Sequence, residues 1–294
     1  MKRVFSYGGG LDSFALLLEA ARRGDLPDIV CFIDVADPEH ADPGEWAGTY
    51  RHLREVVKPF CAARGVEFEW LDTARYPVRD ARSLFAWLEA RKQIPVSGPN
   101  RICTTIAKVE RFERWLGDRF PGETVEVWIG FEAGEEKRAA KDPNAGKATS
   151  ARRNRFPLIE WGLCRCRCEA IVRASGYPVP RKSACVFCCY ATKGDFQTLA
   201  AEDPATFARV VELEASKPPT KKNGAKLSIK GFRTVTRPDG TKDYRPKLLP
   251  VFIAGPAYKR KVEPCEVCGA AEKATKATGC GYLDDGAEPE RAVA

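Results

Sequence analysis

Residues 4–18 read VFSYGGGLDSFALLL: an apolar run, three consecutive glycines, then the opening of a helical pattern. Arg3 to Tyr7 has the composition of a strand, and Phe14, Leu17, Leu18 and Ala21 recur at the three-and-four spacing of an apolar helix face. A loop without side chains between the two lets backbone N–H groups approach a ligand closely. The first turn of the helix adds unpaired N–H groups and a partial positive charge. The pair suits a phosphate. Asp12 and Ser13 are placed to cap the helix, Ser13 can donate its hydroxyl to a phosphate oxygen, and Asp12 can help to hold Mg2+. The lysine of a G-x-x-x-x-G-K-S/T loop is missing, which excludes a Walker-type site. A capped turn with no ligand is the bland alternative. Its place after the first strand of an alternating pattern favours the phosphate.

Ile29 to Val35, Val66 to Leu71 and Val125 to Ile129 are further β-rich runs, separated by segments of helical period such as Tyr50, Leu53, Val57, Phe60 and Val109, Phe112, Leu116. Alternation of this kind predicts an α/β fold with a doubly wound, mostly parallel, Rossmann-like sheet and ligands at the carboxyl ends of its strands. The pattern fades after about Gly130. A helix opens at EDPATFARVVELEA, with Asp203 as N-cap and Pro204 in the first position, and a basic extended stretch follows with a hairpin turn at Pro238-Asp239-Gly240. We expect a nucleotide domain over 1–200, a basic C-terminal region over 201–294, and a frayed tail beyond Asp284.

The 294 residues are 44% hydrophobic and 30% charged, which predicts a folded chain, and no apolar segment approaches a bilayer span. A cytoplasmic protein with no membrane partner is expected. Its twelve cysteines concentrate in CRCRC, CVFCC and CEVCG, which in a cytosolic chain favours metal over disulfides. Net charge is +8, and Lys217 to Lys261 holds 13 Lys and Arg against Asp239 and Asp243. That basic stretch, with ARRNR at 151–155 and the aromatics Phe232, Tyr244 and Tyr258, is the candidate surface for tRNA or DNA, against the bland reading of a solvated face.

Taken together, these stretches resemble the PP-loop ATP pyrophosphatases (the HUP type of α/β fold), and most closely their phosphoadenosine-phosphosulfate-reductase-like branch. SYGGGLDS is similar to the family's S-G-G-x-D-S loop and gives Ser6, Gly8, Gly9, Gly10, Asp12 and Ser13. CFIDVADPEH resembles the second-strand motif near the adenosine and gives Asp34 and Glu39. NRICTTIAK resembles R-x-C-T-x-x-x-K and gives Arg101, Cys103, Thr104 and Lys108; IGFEAGEEKRA resembles G-x-x-x-x-E-x-x-R and gives Gly130, Glu135 and Arg138. The likeness covers about residues 1–200. Gly8 replaces the first loop serine of the family, so backbone amides or Ser6 must do the work of that hydroxyl.

Cys185-x-x-Cys188 has the spacing at which two thiolates reach one metal, zinc or iron–sulfur. The resemblance supplies Cys103 and Cys168 as its partners and favours a 4Fe-4S cluster over Zn2+. Cys164, Cys166 or Cys189 could replace Cys168. Cys31 and Cys61 read as core residues. Cys265 and Cys268 form a second knuckle with Cys280 as third ligand and no evident fourth; Cys280 also resembles the tail cysteine that attacks sulfate in the reductases. Of the two histidines, His40 beside Glu39 is a weak candidate acid, and His52 reads as a surface or packed residue.

The resemblance implies attack on the α-phosphate of ATP. The loop and Arg138 or Lys108 would hold the leaving pyrophosphate while a substrate oxygen is adenylylated, then displaced by sulfur or nitrogen; a sulfur-donor protein is a further expected partner. Two alternatives accompany this reading: a sulfonucleotide reductase using Cys280, and a non-catalytic nucleotide- or nucleic-acid-binding module.

Overall fold

The computed structural model describes residues 1–96, 102–145, 152–219, 228–236, 242–254 and 265–270, with the backbone alone for 232–235 and 242–245. Five parallel strands form the central sheet: β1 (Arg3–Tyr7), β2 (Ile29–Ile33), β3 (Glu67–Leu71), β4 (Val125–Ile129) and β5 (Arg152–Arg155). Their order is β3-β2-β1-β4-β5. Val4 pairs with Ile29 on one side and Val127 on the other, so the chain reverses its winding between β1 and β4. A crevice opens at the carboxyl ends of strands at such a reversal.

Side chains alternate across the sheet as the pleat demands. Phe5, Tyr7, Val30, Phe32 and Trp128 face one layer, which holds α1 (Leu11–Arg23), the helical stretch 47–62 and the helix Arg165–Ala174. Val4, Ile29, Cys31, Ile33 and Val127 face the other, where Phe112, Trp115 and Leu116 pack. Asp203 caps the helix Pro204–Ser216 by accepting from the Thr206 N–H at 3.0 Å, as its sequence predicts.

Beyond the carboxyl end of the sheet lies a helical cluster. Val35, Trp46, Phe85 and Ile106 share it with Phe187, Phe196, Leu199, Val210, Leu213 and Leu249. It joins the two regions expected on either side of residue 200. β6 (Phe232–Thr236) and β7 (Lys242–Pro246) form the expected antiparallel hairpin; its turn lies outside the described residues.

One expectation needs correction. Asp12 and Ser13 do not cap α1: Gly10 is the N-cap and offers no side chain, while Ser13 Oγ accepts from the Gly8 N–H at 3.0 Å and Asp12 pairs with Arg165. Of the ARRNR stretch, Arg152–Arg155 form β5, with Asn154 bridged to Ala145 on its far side from β4. Arg152 pairs with Glu113, Arg153 with Glu126, and Arg155 with Asp25, Glu126 and Glu160. Among the described residues no helix is long and apolar enough to cross a membrane.

Candidate functional site

A cavity of about 340 Å³ occupies the crevice between the ends of β1 and β4. Ser6, Gly8, Gly10, Asp12 and Ser13 line it from the loop and α1; Gly130, Glu135 and Arg138 come from the segment after β4; Arg165, Lys182 and Ser183 close it. Eight of the residues singled out from the sequence therefore share one space. Three cationic side chains, Arg138, Arg165 and Lys182, face two carboxylates, Asp12 and Glu135, in its lining.

Gly9 lies behind the loop with φ of +78°, where a side chain is strained, and a Cβ there would stand 2.9 Å from Thr49 Cγ2 and 3.1 Å from Ser183 Oγ. Thr49 and Ser183 leave no room for a side chain at this point. The Ser13 hydroxyl, which accepts the Gly8 amide, keeps its own proton to donate. Arg138 lies over the Phe131 ring at 4.0 Å and pairs with Glu135 at 3.0 Å. Arg165 Nη1 meets Asp12 Oδ2 at 2.6 Å, with both side chains largely out of solvent.

Asp34 sits at the end of β2, outside this lining. Its carboxylate accepts from the Val35 and Ala36 amides, the Tyr50 hydroxyl and Trp70 Nε1, at 2.7 to 3.1 Å. Three of these donors fall on Oδ1 and one on Oδ2, so the carboxylate orders its own loop. Arg111, fully buried, donates to the backbone carbonyls of Asp34, Leu71, Asp72, Tyr76 and Ala107 and anchors the same strand ends. Glu39 is exposed beside His40, whose Nδ1 lies 2.7 Å from Asp37 Oδ2; neither lines the cavity.

Lys108 also lies outside the lining and is bound to Glu45 Oε1 at 3.2 Å. Glu45 is a residue the sequence reading missed. It is buried, takes the Ser183 hydroxyl on its other oxygen at 3.0 Å, bridges backbone to Cys185, and donates its own amide to the Tyr50 hydroxyl. A carboxylate in a Gly-Glu-Trp loop carries no spacing signal that marks it in advance.

The cysteines form two groups. Cys103, Cys185 and Cys188 lie near enough for their charges to interact, with Cys189 alongside. Burial, then the charge of Glu45, holds the Cys185 thiol well above its ordinary value. Cys188 is pulled down, first by a hydrogen bond from the Cys189 thiol and then by the Tyr190 amide, which reaches its sulfur at 3.4 Å. Cys168 does not join them. It is fully buried against α1, with Asp12, Glu132, Arg165 and Cys164 as its polar surroundings, because one turn into its helix it faces the sheet. The second group is Cys164, Cys166, Cys265 and Cys268, whose sulfurs all lie within 4.8 Å of one another. The knuckle at 265–268 thus finds partners in CRCRC. Arg101 and Cys280 lie outside the described residues, as do 220–227, 237–241 and 255–261 of the basic stretch; of its described members, Lys217 donates to Gln93 Oε1 and Lys230 to the carbonyls of Cys189 and Ala191. Cys31 and Cys61 are core residues, as expected.

No protein-family model matches the sequence, and no curated protein matches it. Among solved structures, the U34-tRNA thiolase NcsA from Methanococcus maripaludis with its [4Fe-4S] cluster is similar at 14% identity over 75% of this chain and 74% of that one, with a TM-score of 0.41. At that distance the residues of this chain, and not the likeness, have to carry the functional reading.

Proposed function

We propose that this chain is an ATP-dependent enzyme of the PP-loop type, which adenylylates a base of a nucleic acid, with tRNA as the first candidate, and releases pyrophosphate in preparation for sulfur transfer. The observation that carries this reading is that one short segment, 182–188, serves both halves of such a reaction. Lys182 and Ser183 line the anion cavity, and Cys185 and Cys188 follow within a few residues.

In this reading the loop amides, Ser13, Arg138 and Lys182 hold the triphosphate and stabilise the charge that gathers on pyrophosphate as it leaves. Asp12 and Glu135, both in the cavity lining, would share Mg2+ with it, exchanging their arginine partners for the ion. Lys108, drawn towards Glu45, fixes the wall between the cavity and the thiols. Cys103, Cys185 and Cys188 are soft donors that fit an iron–sulfur cluster at the cavity edge, and Cys188 is the one most readily deprotonated. Such a cluster, when bound, would present sulfur to the activated base. The 201–294 region would contribute the surface for the nucleic acid.

The test is incubation of the purified protein with α-labelled ATP, Mg2+ and total tRNA. AMP and pyrophosphate that appear only with tRNA support the proposal. Retained ATP with no turnover on any nucleic acid would overturn it, and sulfite formed from phosphoadenosine phosphosulfate would replace it with the reductase.

A further inference from the structure

Cys164, Cys166, Cys265 and Cys268 are absent from the cavity lining, and their crowding identifies what they hold. Four thiolates around one zinc ion at about 2.3 Å stand about 3.8 Å apart at the corners of a tetrahedron. Thiolates on an iron–sulfur cube point outward with the whole cube between them, and stand farther apart. Mutual distances within 4.8 Å are those of a single-ion site.

Both halves are built for it. Gly269, at φ of +72°, closes a tight turn in which its N–H donates to the Cys265 carbonyl at 2.9 Å, and the Cys265 N–H donates to the Ala270 carbonyl at 2.8 Å. The amides of Val267 and Cys268 reach the Cys265 sulfur. On the other side Cys164 occupies the N-cap of the helix Arg165–Ala174, with the Arg167 amide at its sulfur. Cys164 and Cys265 are buried with Ala133.

We propose that these four cysteines bind one zinc ion, and that this ion positions Arg165 against Asp12 at the edge of the nucleotide cavity. Arg165 is the residue between the ligands Cys164 and Cys166, so an ion gripping both flanks fixes the peptide from which its guanidinium reaches Asp12 at 2.6 Å. Leu163, next to the site, accepts the Ala133 N–H at 2.9 Å and ties it to the segment that carries Glu135 and Arg138. A closed four-thiolate zinc site is redox-silent and structural. The metal assignment stands by itself; the positioning of Arg165 rests on the nucleotide reading of the cavity.

The experiment is zinc and iron analysis of the full chain, with calorimetry of a non-hydrolysable ATP analogue. The chain as purified should carry one zinc. Cys265→Ser and Cys166→Ser should lose it, and Cys185→Ser should keep it. Arg165→Met, which leaves all four sulfurs in place, should keep the zinc and bind the analogue about ten-fold more weakly, and Cys265→Ser should show the same loss of affinity. No zinc in the parent chain, iron in its place, zinc surviving Cys265→Ser, or zinc lost from Cys185→Ser overturns the metal site. Unchanged affinity in Arg165→Met overturns the positioning. A parent chain with zinc but no nucleotide uptake overturns the nucleotide reading and the positioning together, and leaves the metal site standing.

Discussion

The two cysteine groups use one residue type to opposite ends. At Cys164, Cys166, Cys265 and Cys268 the sulfurs crowd together, amides point at them, and the surroundings are small and apolar. At Cys103, Cys185 and Cys188 the thiols adjoin a buried carboxylate, a lysine and the wall of an anion cavity, and their acidities are pushed apart. Proximity sets the first group apart, and environment the second; the zinc clamp proposed for one and the sulfur chemistry proposed for the other rest on that difference.

The sharpest way to break this contrast is Cys185→Ala. It should lower formation of modified product by at least a hundred-fold while leaving the zinc count untouched, as read by product analysis and metal content (about two decades is the scale on which loss of a reacting group shows). Equal loss of both would merge the groups.

The scaffold that both groups share has its own pH dependence, which must be measured first. Burial lowers His52 to about 4, where it packs edge-on to Phe14 at 4.7 Å and meets the Tyr7 hydroxyl at 3.3 Å. The unfolded histidine titrates near 6.5, so between these values the unfolded chain binds more protons. The stabilising contribution is therefore whole above about pH 6.5 and is lost as pH falls towards 4, to the extent of about 3 kcal/mol. Urea unfolding at several pH values should show that slope, and His52→Gln should flatten it.

A smaller effect separates loop from thiols. Gly9→Ala should destabilise the fold by about 1–2 kcal/mol through its positive φ and its approach to Thr49 and Ser183. It should also weaken nucleotide binding, with both metals retained; calorimetry and thermal unfolding read the two parts. Smallest of all, Cys61→Ala should cost about 1 kcal/mol of stability and change neither metal nor nucleotide, since Cys61 serves only as core.

How much of the molecule is legible in its sequence depends on the range of the interactions. β1 to β4 and α1 announce themselves because apolar period and chain neighbours suffice to specify them, and the glycine loop because its place in that alternation is local. β5 is hidden: Arg152 to Arg155 is polar and basic, and only pairing with Val125 to Trp128 makes it a strand. Glu45 and the Arg165–Asp12 pair, 153 residues apart, have no local signature. The same holds for the meeting of CRCRC with the knuckle at 265–268. The resemblance puts Cys168 with Cys185 and Cys188, but it does not say which face of its helix that residue takes, and the structure turns it to the sheet.

Among the described residues the central sheet has five strands, and its outer strands carry charge of opposite sign. Its outer strands present Glu67 and Glu69 at one margin and Arg152, Arg153 and Arg155 at the other, each neutralised by a partner from its own chain, such as Arg119, Arg75 or Glu113. The β5 margin is also covered, because the Asn154 N–H donates to the Asn144 carbonyl at 2.9 Å and Asn154 bridges to Ala145; only the β3 margin is left for another strand, and there the paired Glu67 and Glu69 make such an addition costly.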